Sequence, residues 1–152
     1  MRLCGDYVRT AAYLHIPQIR YDKVLNMLEK VRGFKIFADI DMKNAFHQFK
    51  IDQVSSERLA LVTPWGHVRP VVLPEGIGPA SGMLQRFVST TFADFEKWSI
   101  VLFDNFLILA VDLQDLYDKV SLLLKRWLSV NLVLNMNKSF FRVKSVNFFG
   151  YL

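Results

Sequence analysis

The sequence predicts an α+β domain. Three segments carry apolar residues at helical spacing, and short apolar runs broken by Gly, Pro, Asn and Asp read as strands. The two kinds of element mix without strict βαβ alternation, which separates this pattern from a doubly wound parallel sheet. With 152 residues the chain suits one domain or a piece of a larger protein. A domain of that length buries roughly 70% of its unfolded surface, so it holds a core without disulfides or a structural metal.

The first residues read as strand and turn. Residues 21–31 predict a helix, with Val24, Leu25, Leu28 and Val31 on one face and Gly33 as a stop. Residues 35–42 (KIFADIDM) and 47–51 (HQFKI) predict strands that pair across Lys43–Phe46. Residues 58–63 and 67–73 predict two more strands around the turn Pro64-Trp65-Gly66, with Pro70 placing the second at a sheet edge. The breaker-rich stretch PEGIGPASG precedes a predicted helix over 80–97. Residues 100–103 and 106–111 predict a hairpin about Asp104-Asn105. A broad apolar face from Leu113 to Leu128 predicts a helix over 113–130, capped by Asp112. Residues 146–150 predict a last strand.

Composition narrows the function classes. Apolar residues make up 52% of the chain and 13 residues are Phe, so the core is large or apolar surface awaits a neighbour. The single cysteine, Cys4, forms no internal disulfide, which fits a reducing compartment. The opening MRLCGDYVRT lacks the apolar run of a signal peptide, and no run reaches the ~18 apolar residues of a membrane span. A net charge of +5 favours polyanionic partners such as nucleic acid.

Asp104 and Asn105 interrupt the apolar segment IVLFDNFLIL. Taken alone, they are explained by turn chemistry, because both residue types favour turns and Asn tolerates positive φ. A turn also lifts a carboxylate to the sheet rim, where it can meet a hard cation that prefers oxygen ligands. A second carboxylate is available in Phe37-Ala38-Asp39-Ile40-Asp41. Strand alternation puts Asp39 and Asp41 on one face, opposite Ala38 and Ile40, about 6.6–6.8 Å apart. Asp39 reads as an ordinary solvated charge. Asp41 ends its strand beside a turn, a common place for a ligand.

The order of motifs resembles the reverse transcriptase domain of retroelements, nearest to gypsy-type long-terminal-repeat retrotransposons and their viral relatives. Arg2-Leu3-Cys4-Gly5-Asp6-Tyr7 resembles R-x-C-x-D-Y. Phe37 to Met42 followed by Ala45-Phe46-His47-Gln48 resembles F-S-x-L-D-L-x-x-G-Y-H-Q. Thr63-Pro64-Trp65-Gly66 resembles T-x-x-G. Leu73-Pro74-Glu75-Gly76-Ile77 with Ala80 and Gln85-Arg86 resembles M-P-F-G-L-x-N-A-P-x-x-F-Q-R. Val101 to Asn105 occupies the place of V-Y-x-D-D. Leu134-Asn135 with Lys138, and Phe148-Phe149-Gly150, resemble L-N-x-x-K and F-L-G. Each motif is weak alone; the set in this order and spacing is specific.

The resemblance implies a polymerase palm, an antiparallel sheet with helices packed on one face, together with part of the fingers. It implies templated transfer of deoxynucleotides to a primer 3′-end, with Mg²⁺, or Mn²⁺, as cofactor. Asp41 and Asp104 become the metal-binding carboxylates of a two-metal mechanism, one ion activating the primer 3′-hydroxyl and the other holding the triphosphate. Phe46 takes the place of an aromatic that blocks the ribose 2′-hydroxyl. Gln85 contacts the incoming nucleotide or template, Arg2 approaches the triphosphate, and Lys138 is a proton donor. Outside the motif context, Phe46 reads as core, Gln85 as a solvated helix residue and Lys138 as an exposed lysine. The implied partners are an RNA or DNA template with its primer, deoxynucleoside triphosphates and the rest of a longer polyprotein, with no membrane. The implied location is intracellular, in a cytoplasmic particle or the nucleus. No thumb, RNase H or integrase segment is recognisable, so the chain is expected to be a piece of that polyprotein.

The sequence departs from the family pattern at Asn105, where a second Asp is usual. Asn keeps a carbonyl oxygen and loses the charge, so metal affinity is expected to fall. Either the chain derives from an inactive element, or its branch works with Asp-Asn; the uninterrupted frame favours the second. Glu75 replaces a Phe, and Leu102 replaces a Tyr. Two other readings stay open: a silent domain that grips primer–template or supports a partner subunit, and an unrelated α+β domain whose Asp41 and Asp104 lie far apart.

Overall fold

The computed structural model describes residues 5–15 and 24–145. In chain order its elements are α1 (Val8–Ala11), α2 (Val24–Val31), β1 (Ile36–Asp41), α3 (Gln53–Arg58), β2 (Leu61–Thr63), β3 (Gly66–Val68), α4 (Ala80–Thr91), β4 (Ser99–Leu102), β5 (Asn105–Ala110), α5 (Leu113–Ser129) and β6 (Phe140–Val143). Single 3₁₀ turns lie at Ala45–Gln48, Ala93–Phe95 and Met136–Lys138. The α+β expectation holds. The chain divides into two units, one of Met1–Ile19 with Asn44–Arg86 and one of Arg20–Lys43 with Phe87–Leu152.

The second unit is built on an antiparallel sheet in the order β4-β5-β1-β6. Ala38 and Ile40 of β1 and Phe106 and Ile108 of β5 are all fully buried, and the pairing Ala38↔Ile108 and Ile40↔Phe106 puts them on one face. Helix α5 packs on β1 and β5. The Trp127 ring meets Phe106 edge-on at 5.1 Å, and Phe92 meets Phe106 at 5.0 Å. Asp112 caps α5 by accepting Asp115 N–H at 2.9 Å, as its position before the apolar face predicts.

The other face of the sheet changes character along its length. Phe37, Ile100, Leu107 and Leu109 form an apolar cluster there, covered by Met27, Val31, Phe34 and Val143. Helices therefore pack on one face, and α2 also covers one end of the other. Two and four residues beyond Phe37, the same face of β1 presents Asp39 and Asp41. Apolar cover thus gives way to carboxylates toward the end of β1.

The first unit gathers Tyr7, Leu59, Leu73, Ile77 and Ala80 into a core, with Leu14, Phe46, Phe49, Ile51 and Leu61 packed against it. Strands β2 and β3 make a hairpin around Pro64-Trp65, in which Thr63 Oγ1 donates to the Gly66 carbonyl at 2.7 Å. Both strands are shorter than predicted, and β3 ends before Pro70.

Several expectations fail for local reasons. Val8–Ala11 is a short helix rather than strand. Residues 47–51 form no strand beside β1. Asn44 adopts φ 46°, the 3₁₀ turn buries Ala45, and the segment instead meets residues 71–73, with Leu73 N–H donating to Phe49 C=O at 2.8 Å. Residues 53–58 form α3, capped by Asp52, whose carboxylate accepts Ser55 N–H at 2.9 Å. Helix α4 stops at Thr91, where the chain tightens into the Ala93–Phe95 turn and stacks Phe95 on Trp98 at 4.7 Å. Strand β6 at Phe140–Val143 was not expected, and the predicted strand over 146–150 lies outside the described residues.

Candidate active site

The end of β1 and the β4–β5 hairpin build one edge of the sheet. Asp41 sits in register opposite Asn105, and Asn105 pairs on its other side with Leu102. The two-residue turn is Phe103-Asp104, one residue earlier than predicted, so Asn105 is the first residue of β5. Phe103 takes φ 55°, the positive first-residue φ of the turns that match strand twist, and a non-glycine residue is strained there. Asp104 C=O accepts Met42 N–H at 2.8 Å, tying the turn to the residue after Asp41.

A second clamp comes from the segment before β6. Lys43 N–H donates to Val133 C=O at 3.0 Å, and Asn135 N–H donates to Asp41 C=O at 2.8 Å. Lys138 ends the 3₁₀ turn that follows, and Ser139 Oγ accepts Asp41 N–H at 3.1 Å. Asn135 entered the sequence reading only as part of a motif, and Ser139 was missed. A Ser directly after a predicted lysine site was the available signal, since Ser readily bonds nearby backbone.

The electrostatics of the edge follow from this crowding. Burial pushes the Asp104 carboxyl above its ordinary value; its own backbone N–H pulls it back, the charge of Asp41 raises it and Lys138 lowers it. Burial, then Asp41, likewise raises Asp39. Asp104 therefore lies within electrostatic reach of both Asp41 and Lys138. Among the described residues no group of three His, Cys, Asp or Glu side chains is gathered to hold a metal, so Asp39 completes no three-carboxylate set. Two carboxylates and the carboxamide oxygen of Asn105 fit Mg²⁺, which is commonly held by one or two carboxylates plus substrate phosphates.

The remaining predicted residues fall elsewhere. Arg2 lies outside the described residues. Phe46 and Gln85 belong to the first unit. Phe46 is partly buried in the 3₁₀ turn and packs on the core of that unit. Gln85 is 5% exposed, so it is not a solvated helix residue. The carboxylate of Glu75 lies 4.0 Å from His47 Nε2, linking its loop to the turn that bears Phe46.

Residues 5–152 match the family model for reverse transcriptase (RNA-dependent DNA polymerase). The chain belongs to the reverse transcriptase family. The unrelated-domain reading is thereby set aside. The chain is 27% identical over 152 residues to the transposon Tf2-7 polyprotein of Schizosaccharomyces pombe, covering 99% of this chain and 11% of that protein. It is 31% identical over 124 residues to the enzymatic polyprotein of Cauliflower mosaic virus (strain D/H), covering 82% of this chain and 18% of that protein. It thus spans less than a fifth of the length of these relatives.

The fold is also that of solved reverse transcriptases. A foamy viral protease-reverse transcriptase in complex with double-stranded DNA superposes with a TM-score of 0.89 at 17% identity, covering 98% of this chain and 26% of that one. The foamy viral enzyme in complex with an RNA/DNA hybrid gives 0.86 at 17% identity, covering 95% and 20%. No helix among the described residues is long and apolar enough to cross a membrane.

Proposed function

We propose that this chain supplies the catalytic centre of an RNA-directed DNA polymerase, which joins templated deoxynucleotides to a primer 3′-end. The observation that carries this reading is the carboxylate edge: Asp41 at the end of β1 opposite Asn105, with Asp104 in the adjoining turn and Lys138 within electrostatic reach. Asp41 and Asp104 hold the divalent metal, Mg²⁺ or Mn²⁺, and Asn105 offers a neutral oxygen. A metal held there would supply Lewis acidity toward the primer hydroxyl and countercharge for the triphosphate. Lys138 Nζ gives a proton to the departing pyrophosphate.

The family resemblance extends this to residues beyond that edge. Phe46 excludes a ribose 2′-hydroxyl, Gln85 contacts the incoming nucleotide or template, and Arg2 meets the triphosphate. The partners are primer–template, deoxynucleoside triphosphates and the rest of a polyprotein, in an intracellular setting. Asn105 favours a second reading, a silent domain that still grips primer–template through its basic charge.

Primer extension on an RNA template, with Mg²⁺ and the intact parent polypeptide, tests the proposal. Extension is expected, and Asp41→Ala and Asp104→Ala abolish it. Extension that survives both substitutions overturns the residue assignment. Primer–template binding without extension supports the silent reading.

A further inference from the structure

The turn that carries Lys138 is fastened to the main chain of Asp41. Strand β6 pairs with β1 only at Phe37 and Asp39, with a register shift between them, so the ladder stops short of Asp41. There the polar groups of Asp41 find other partners. Asp41 N–H donates to Ser139 Oγ at 3.1 Å, and Asp41 C=O accepts Asn135 N–H at 2.8 Å. Ser139 Oγ donates in turn to Asn135 C=O at 2.8 Å, the same oxygen that accepts Lys138 N–H at 3.1 Å. One hydroxyl therefore accepts from the strand and donates to the turn.

We propose that Ser139 is a positioning residue, whose hydroxyl locks the turn bearing Lys138 against the main chain of Asp41 and so aims the lysine at the carboxylate edge. The inference rests on the polymerase reading of that edge. An alanine at 139 leaves a part-buried Asp41 N–H without its acceptor and the Asn135 carbonyl with one donor fewer, and a part-buried donor without a partner is costly. The turn then relaxes to recover those bonds. Lys138 is a long, exposed side chain, so the position of its ammonium follows the position of the turn.

The test uses the full parent polypeptide with Ser139→Ala, Ser139→Thr, Lys138→Ala and the double variant Ser139→Ala/Lys138→Ala. Amide exchange at Asp41 and the single-turnover rate of primer extension are read, with the KM for deoxynucleotide as a control. Ser139→Ala is expected to speed exchange at Asp41 and slow extension about tenfold. The KM for deoxynucleotide stays near its natural value, and Ser139→Thr, which keeps the hydroxyl, restores both readouts. In the Lys138→Ala background the added effect of Ser139→Ala is expected to fall below about twofold, because residues acting through one another are not additive.

A full tenfold effect without Lys138 reduces Ser139 to a structural role and overturns the proposal. So does unchanged protection at Asp41 in Ser139→Ala. If Ser139→Ala does not fold, Ser139→Cys, which keeps a weak acceptor of similar size, carries the same comparison. Failure of the natural polypeptide to extend primer defeats the polymerase reading and leaves the fastening to be decided by amide exchange, where retained protection refutes it.

Discussion

Phe106 is the residue whose replacement most directly tests how the candidate edge is held. It follows Asn105 in β5, lies opposite Ile40, and is fully buried between Phe92 and Trp127. Its ring meets theirs at 5.0 and 5.1 Å with interplanar angles of 78° and 73°, the edge-to-face geometry in which each pair adds about 0.5–1.5 kcal/mol beyond burial. Phe106→Leu removes both pairs, about 1–3 kcal/mol, and roughly 1 kcal/mol of buried apolar surface. The expected loss of about 2–4 kcal/mol is a large share of a stability of about 5–15 kcal/mol. At this chain length it lowers Tm by roughly 5–15 °C in thermal unfolding followed by circular dichroism. Phe140→Leu is the control: Phe140 is 57% exposed, and its loss stays within about 0.5 kcal/mol. A Phe106→Leu shift no larger than that of the control refutes the claim that the aromatic stack anchors the hairpin.

Two further outcomes follow from the same geometry. Burial, then the charge of Asp41, hold the Asp39 carboxyl above its ordinary value of 3.8, so the folded state binds that proton more tightly than the unfolded chain does. Its contribution is most favourable below the ordinary value and is lost as pH rises from there through the raised folded value. Asp39→Asn is therefore expected to be more stable than the natural protein at pH 7 in the presence of a chelator, with the two converging below about pH 4. Equal urea midpoints at pH 7 contradict this. Gly76 and Gly33 have φ 92° and 90°, and a Cβ on Gly76 meets the Gly5 carbonyl oxygen at 3.3 Å while one on Gly33 meets open space. Both alanine variants bear the left-handed strain of about 1–2 kcal/mol, and Gly76→Ala is expected to lose more. Equal losses in urea unfolding contradict the contact.

The palm-like half was legible where a side chain's place depends on period alone. Alternation in FADID put Asp39 and Asp41 on one face and Ala38 and Ile40 on the other, as observed. The face of α5 and its Asp112 cap were equally readable, because a long amphipathic helix carries its own signal. Short elements were not. Helix α3 has only Val54 as an apolar residue, and its signal was the Asp52 cap rather than periodicity. The HQFKI run looked like a partner for β1, but Asn44 in the left-handed region redirects the chain before it. The hairpin slipped by one residue because Asp-Asn is the better turn pair by composition, whereas pairing places the positive φ on Phe103. Of the edge itself, the register of Asp41 opposite Asn105 depends on residues distant in sequence, and the Ser after Lys138 signals a backbone bond without naming Asp41 as its partner.

The polymerase reading requires that an edge with Asp41, Asp104 and a neutral Asn105 still hold the metal. The direct measurement is the Mg²⁺ dependence of primer extension on an RNA template by the intact parent polypeptide, for the natural form and for Asn105→Asp. Both are expected to extend primer, and the added carboxylate is expected to lower the Mg²⁺ concentration for half-maximal rate. Extension by Asn105→Asp alone, at any Mg²⁺ concentration, contradicts it and makes the natural chain a polymerase fold without the activity.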